Sequence, residues 1–134
     1  MELSIEQKRL AFLNETVDHF KKNKRALTTP QKEGWSGICK YSHDVNGGCA
    51  IGRKVSKELA EELSGIGAGV SRIDIFEKLP SELKELGQAF LIEVQVLHDF
   101  NRYWDDSDEG NQLTSAGVHM LYDIIAKYCG SQKI

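Results

Sequence analysis

The chain has 134 residues, of which 40% are hydrophobic and 28% are charged. These values are typical of one globular domain over residues 1–134, and they exclude a disordered or collagen-like chain. The net charge of -3 provides no overall attraction to phosphate groups, so general nucleic-acid binding is not expected. The sequence contains no apolar run long enough to span a membrane and no leader in which a basic start precedes an apolar stretch. We therefore expect a cytoplasmic protein without a membrane partner.

The cysteine content predicts free thiols. Three cysteines occur in the chain, at Cys39, Cys49 and Cys129. An odd count without an export signal argues against a disulfide framework, because the cytosol keeps thiols reduced. We therefore expect all three side chains to be reduced.

A first helix is predicted from Ser4 to about Asn23. Ser4 and Gln7 have the spacing of a capping box, and apolar residues then recur at helical spacing up to Phe20. The following residues, 28–37, contain one proline and two glycines and are predicted to form a connection.

A small β-hairpin is predicted around residues 38–49. The short apolar stretch I-C-K-Y leads towards Asn46 and Gly47, which tolerate the positive φ of a tight turn. Helical spacing begins again at Cys49 and predicts a second helix that ends near Ser64. The G-I-G-A-G segment that follows is interpreted as a loop, because it lacks the preceding strand that a dinucleotide-binding site requires.

The second half of the chain is predicted to be helical apart from one acidic loop. A short helix over residues 71–78 precedes a long one, continuous or kinked at Gly87, that runs from Pro80 to Trp104. After the acidic loop, Thr114 is expected to cap a final helix. The predicted fold class is mainly α, or α+β with a minor β-hairpin, as a compact bundle of four to five helices.

Cys49 is the first candidate for chemistry. At the start of the predicted second helix, the positive end of the helix dipole would stabilise its thiolate. In an enzymatic interpretation, Cys49 is the nucleophile of a hydrolase or transferase and His98 is its base, while Asp99 or Asn101 orients the histidine. The structural alternative is a small buried cysteine, with His98 and Asn101 hydrogen-bonded to nearby backbone. The sequence favours this alternative, and with it a protein that is not an enzyme.

Metal binding is a weaker interpretation. Cys39, His43 and Cys49 surround the predicted hairpin and would be the ligands if a metal were bound. Each of these residues is isolated, whereas zinc modules carry paired Cys-x-x-Cys units. The acidic segment that starts at Asp105 has Ala116 at the position where a calcium loop requires glutamate. We expect no metal and no cofactor.

Basic residues near the glycines suggest a site for a small anion. Backbone N–H groups after Gly48, together with Arg53, Lys54 and Arg72, could hold a nucleotide-like ligand. The alternative is that these basic side chains are simply solvated. The candidate ligand-binding residues are Cys49, Arg53, Lys54, Arg72, His98, Asn101 and Trp104.

Four motifs in this chain resemble those of a group of short phage and prophage proteins of unassigned function. They are C-x-Y, G-x-C-A-I-G-R, L-P-x-E-L and L-H-D-x-N-x-x-W, and the likeness runs from Cys39 to Trp104. The resemblance implies a phage or mobile-element origin, and small accessory phage proteins often act by binding. We therefore expect a binding protein, such as an anti-defence protein, that captures a host factor or a small anionic ligand. The alternatives are the cysteine-dependent enzyme and a structural homodimer.

Overall fold

The structure is a computed structural model that describes residues 3–22, 41, 48–66, 70–107 and 110–130. Within these ranges the protein is mainly helical with one antiparallel β-hairpin, which confirms the predicted fold class. Two single turns of 3-10 helix, at Gly52–Lys54 and Asn101–Tyr103, connect longer elements. The helices are α1 (Ile5–Lys22), α2 (Lys57–Ile66), α3 (Ile73–Glu77), α4 (Ser81–Lys84), α5 (Gln88–Asp99) and α6 (Ser115–Tyr128), and the strands are β1 (Trp104–Ser107) and β2 (Gly110–Leu113). None of the helices in the described ranges is both long enough and apolar enough to cross a membrane.

Local capping signals define the ends of α1 and α6. The N–H of Ser4 donates to Oε1 of Gln7 at 2.9 Å, and the N–H of Gln7 donates to Oγ of Ser4 at 3.1 Å. This reciprocal pair is the predicted capping box. At the start of α6, the side-chain oxygen of Thr114 accepts a hydrogen bond from the N–H of Gly117, as predicted.

The long helix predicted after Pro80 is divided into α4 and α5. The division occurs at Gly87, which has a φ of +96°, a conformation that few residues other than glycine adopt. Arg9 of α1 holds this junction, because its Nε donates to the carbonyl oxygen of Leu86 at 2.7 Å. The sequence predicts either a continuous helix or a kink at Gly87, and the structure has the second of these.

Helix α5 lies at the centre of the core. Its buried apolar residues pack with those of α1 and with Ile124 of α6. The indole N–H of Trp104 donates to the carbonyl oxygen of Leu97 at 2.7 Å, which fastens β1 to the end of α5. The buried apolar residues of α5 are Phe90, Leu91, Val94 and Leu97.

The described hairpin lies at residues 104–113, where the sequence predicts the end of the long helix at Trp104 and then an acidic loop from Asp105; the helix in fact ends at Asp99. The prediction of a loop there was wrong. Trp104 pairs with Leu113 at the base of the two strands, and both side chains pack in or against the hydrophobic core. At the other end of the ladder, Ser107 pairs with Gly110. The hairpin predicted at residues 38–49 falls mostly outside the described residues.

The second helix begins later than predicted. Cys49 is followed by the 3-10 turn Gly52–Lys54, and Val55 then has extended backbone with a φ of −115° and a ψ of 168°. Helix α2 starts only at Lys57, after Ser56, whose Oγ accepts a hydrogen bond from the N–H of Leu59 at 3.2 Å. Val55 therefore separates the 3-10 turn from α2, although the periodicity of the sequence predicts one continuous helix there.

Candidate functional site

Residues 48–54 form a tight turn that packs against the backbone of Tyr41. Gly48 has a φ of +95°, and a Cβ atom on Gly52 would overlap the carbonyl group of Tyr41. The N–H of Arg53 donates to the carbonyl oxygen of Cys49 at 3.1 Å and so closes the turn. The two glycines therefore allow two backbone segments to approach closely, which is a structural requirement of this fold.

Cys49 is fully buried and disulfide-bonded. The expectation of reduced thiols was therefore wrong for this residue, whereas Cys129 is not in a disulfide and its burial raises the pKa of its thiol. Cys39 lies outside the described residues. A disulfide sulfur is not a thiolate, and the short turn after Cys49 does not provide the dipole of a long helix. The geometry thus removes both reasons for regarding Cys49 as a nucleophile.

The predicted base, His98, is enclosed in the core. Its side chain is 1% exposed. Its Nδ1 lies 2.6 Å from Oδ1 of Asp99, and this carboxylate oxygen accepts a hydrogen bond from Nδ1–H. The ring packs edge-on against Phe20 with 4.6 Å between centroids, and Nε2 is also buried. Neither nitrogen is exposed to a substrate in solvent. The side chain of Asn101, the other predicted orienting group, is not among those described.

Arg53 and Lys54 both bind Glu15 on α1. The two terminal nitrogens of Arg53 donate to the two carboxylate oxygens of Glu15 at 2.7 and 2.9 Å, and one of them also donates to Oγ1 of Thr16 at 2.8 Å. Nζ of Lys54 lies 2.7 Å from the same carboxylate. The guanidinium carbon of Arg53 lies 5.8 Å from the centre of the Phe20 ring, a cation–π contact.

The paired cations change the titration of Glu15. Partial burial is the largest contribution and raises its pKa, but the hydrogen bonds and positive charges of Arg53 and Lys54 together outweigh it and lower the pKa to about 2. Next to this cluster, burial first and the charge of Arg53 second lower the pKa of His19. The two basic residues predicted to hold an anion are thus already occupied by a carboxylate of the protein.

Arg72 and Trp104 also have structural partners. Arg72 forms an exposed pair with Asp74, with 2.6 Å between the nearest charged atoms. Trp104 is 5% exposed and hydrogen-bonded to the end of α5. No described hydrogen bond or ion pair joins either residue to Arg53.

A buried amide network behind the turn was not predicted. Oε1 of Gln95 accepts from the N–H of Val70 at 2.9 Å, and its Nε2 donates to the hydroxyl oxygen of Tyr41 at 2.8 Å. Burial raises the pKa of Tyr41 to about 12, although the bond from Gln95 opposes this change. The available sequence signal was a glutamine within the apolar stretch of α5, since a buried amide must find hydrogen-bond partners.

An open groove of about 370 Å³ lies between α1 and the segment around α4. Its apolar lining consists of four residues and its rim carries two lysines and two glutamates. Nζ of Lys8 lies 2.9 Å from a carboxylate oxygen of Glu85 across the rim. Of the residues predicted to bind a ligand, Lys54 is the one that lines the groove. The apolar lining residues are Phe12, Pro80, Leu83 and Leu86, and the charged ones are Lys8, Lys54, Glu82 and Glu85.

The described ranges contain no cluster of three or more His, Cys, Asp or Glu side chains that could hold a metal ion. Of the three possible metal ligands, Cys49 is held in a disulfide, whereas Cys39 and His43 lie outside the described residues. A disulfide sulfur is not a thiolate ligand, so Cys49 does not serve in the metal set considered from the sequence.

The fold and the surface together define a small, mainly helical protein with an open groove of mixed charge. The chain matches no protein-family model, no curated protein and no solved structure.

Proposed function

We propose that the protein is a non-enzymatic binding protein that captures a protein partner in the groove between α1 and α4. The partner would insert an apolar side chain between Phe12 and Pro80 and place polar groups of both signs along the rim. The observation that carries this proposal is the combination of an apolar lining with lysines and glutamates around one opening. Protein-binding sites commonly combine an apolar centre with a polar rim.

The charges of the groove favour a protein over a small anion. Lys8 is paired with Glu85, and Lys54 is paired with Glu15, at distances of 2.9 and 2.7 Å. A phosphate would have to separate these pairs and lie beside the carboxylates. A protein segment with side chains of both charges can instead bind both members of each pair. The small anionic ligand predicted from the sequence is the second candidate, and it would have to displace Glu15 from Arg53 and Lys54.

The wider biological setting is part of the same proposal. The motif resemblance to short phage and prophage proteins supports an accessory or anti-defence role, in which the captured partner is a host protein. The cytoplasmic location expected from the sequence stays a prediction. The cysteine enzyme receives no support from the geometry, because Cys49 is disulfide-bonded and His98 is buried.

We expect Glu82→Arg to prevent partner capture. Glu82 is exposed on the rim of the groove, and arginine there would both reverse the charge and extend over the opening. The matched control is Glu61→Arg, which makes the same charge change at an exposed position on α2 outside the groove. Tagged wild-type protein and both variants would be incubated with bacterial lysate, and the retained proteins quantified by mass spectrometry. A specific partner should be retained by the wild type and Glu61→Arg and reduced at least about tenfold by Glu82→Arg.

Two results would contradict the proposed function. Equal retention of the same partner by both variants would place its binding site elsewhere on the protein. A nucleotide-sized mass retained by the wild type in a native mass spectrum, without a protein partner, would favour the small anionic ligand instead. Circular dichroism would confirm that both variants are folded before retention is compared.

A further inference from the structure

One face of α6 exposes apolar side chains that no other described residue covers. Val118 is 40% exposed and Tyr122 is 65% exposed, one helical turn apart. Ser115 and Ala126 are small, exposed residues that continue the same face at its two ends. The resulting spacing of three and four residues is typical of a helix that packs along another helix. We refer to Ser115, Val118, Tyr122 and Ala126 as the α6 stripe.

The charged groups beside the α6 stripe lack partners within the described part of the chain. His119 and Asp123 are both exposed and stand one turn apart, and neither forms a hydrogen bond or ion pair with another described residue. By contrast, Arg53, Arg72 and Lys127 each lie within 3.3 Å of a carboxylate oxygen. The imidazole of His119, as a donor, and the carboxylate of Asp123, as an acceptor, therefore lie exposed beside the α6 stripe.

We propose that the α6 stripe is the contact surface of a homodimer, in which two copies of α6 pack antiparallel about a two-fold axis. A crossing centred between positions 120 and 121 brings Val118 within about 1.5 Å of the level of Tyr122 of the partner subunit along the helix axis. The same crossing places His119 beside Asp123 of the partner subunit, and the two-fold axis repeats this contact. An imidazole N–H then donates to a carboxylate at each end of the interface.

The arrangement of charges is what identifies the partner as a second copy. In a parallel pairing, each Asp123 would face the same residue of the other copy, and two carboxylates would repel each other. In the antiparallel pairing, each side presents the group that the other needs. This self-complementarity is the property of an interface in which both subunits use the same surface.

The proposed dimer is weak and independent of the groove. Helix α6 has 14 residues and is therefore about 21 Å long, so one helix face buries less than the roughly 800 Å² per partner of a standard interface. No residue of α6 lines the groove, so dimerisation does not rest on the proposed function.

Sedimentation equilibrium tests the proposal over concentrations from about 1 to about 300 µM. The wild type should pass from monomer to dimer in this range. Asp123→Lys places a cation beside His119 of the partner subunit and should raise the dissociation constant at least about tenfold. The double variant with His119→Asp and Asp123→Lys exchanges donor and acceptor, and it should return the constant to within about threefold of the wild-type value. Glu61→Lys makes the same charge change away from α6 and should have no effect.

Several outcomes would overturn the proposal. A wild type that stays monomeric over the whole range excludes the dimer. A dimer that Asp123→Lys leaves unchanged uses another surface, and a double variant that stays monomeric excludes the antiparallel pairing. Tyr122→Lys offers a second route, since it removes the largest exposed apolar group of the stripe and should also give a monomer. A folded Glu82→Arg variant should dimerise normally, which separates this test from that of the groove.

Discussion

Gly52→Ala is expected to destabilise the protein by more than about 4 kcal/mol and to leave little folded protein at ambient temperature. The added Cβ would overlap three backbone atoms of Tyr41, which are the carbonyl oxygen, the Cα and the carbonyl carbon. These are backbone atoms, so they cannot move aside as the end of a flexible side chain can. Tyr41 is itself held by the buried hydrogen bond from Gln95, which limits any adjustment. Unfolding in urea, followed by circular dichroism, measures the effect.

Gly65→Ala is the matched control for this substitution. Gly65 is an exposed residue of α2, and a Cβ atom there meets nothing within 4 Å. Because alanine has a higher helix propensity than glycine, we expect the control to raise the free energy of unfolding by about 0.5–1 kcal/mol. If Gly52→Ala were as stable as Gly65→Ala, the close approach of the turn to Tyr41 would be contradicted.

Arg53→Met is expected to lower the free energy of unfolding by about 3 kcal/mol at neutral pH. The arginine side chain is 8% exposed and makes two hydrogen bonds to Glu15 and one to Thr16. Methionine preserves much of the apolar volume against Phe20 but leaves the buried hydroxyl of Thr16 without its donor. The decrease in the free energy of unfolding should therefore come more from lost polar interactions than from lost packing.

The effect of Arg53→Met should depend on pH. In the folded wild type the pKa of Glu15 is about 2, below its ordinary value of 4.5, so the ionised carboxylate stabilises the fold above pH 4.5. This stabilisation is lost as the pH falls from 4.5 towards 2. The carboxylate is 47% exposed, and solvent screening limits this pH-dependent part to about 1 kcal/mol. Urea unfolding at neutral and acidic pH should thus show the difference between wild type and variant narrowing in acid.

Arg72→Met is the control for the loss of a surface pair. Arg72 is 55% exposed and contacts Asp74, which is also exposed, so we expect a change of no more than about 0.5 kcal/mol. Two results would contradict the role assigned to the Arg53 and Glu15 pair. The first is that Arg53→Met and Arg72→Met lower the free energy of unfolding equally. The second is that the difference in this free energy between wild type and Arg53→Met does not change with pH.

The parts of the fold that the sequence predicted are those determined by neighbouring residues. The capping box of Ser4 and Gln7 and the cap at Thr114 each depend on residues three positions apart. The late start of α2 was missed because it follows a turn in which Gly52 packs against the backbone of Tyr41, 11 positions earlier in the sequence. Backbone contacts of this kind produce no periodic pattern of hydrophobic residues in the sequence.

The candidate site was less predictable than the fold because its contacts join distant segments. Arg53 was identified as an anion-binding residue, but its partner Glu15 lies 38 positions away in the sequence. The groove likewise combines Phe12 of α1 with Pro80 and its neighbours. A hydrophobic pattern indicates which residues are buried but not which segments enclose a groove.

The choice between binding and thiol catalysis depends most directly on the state of Cys49. The decisive measurement is the intact mass of the protein after alkylation in denaturant without a reducing agent. A disulfide at Cys49 predicts that one thiol, that of Cys129, is alkylated before reduction, and that all three cysteines are alkylated after it. Alkylation of all three without reduction would show a free thiol at Cys49, contradict the structural role of the turn and return this residue to consideration as a nucleophile.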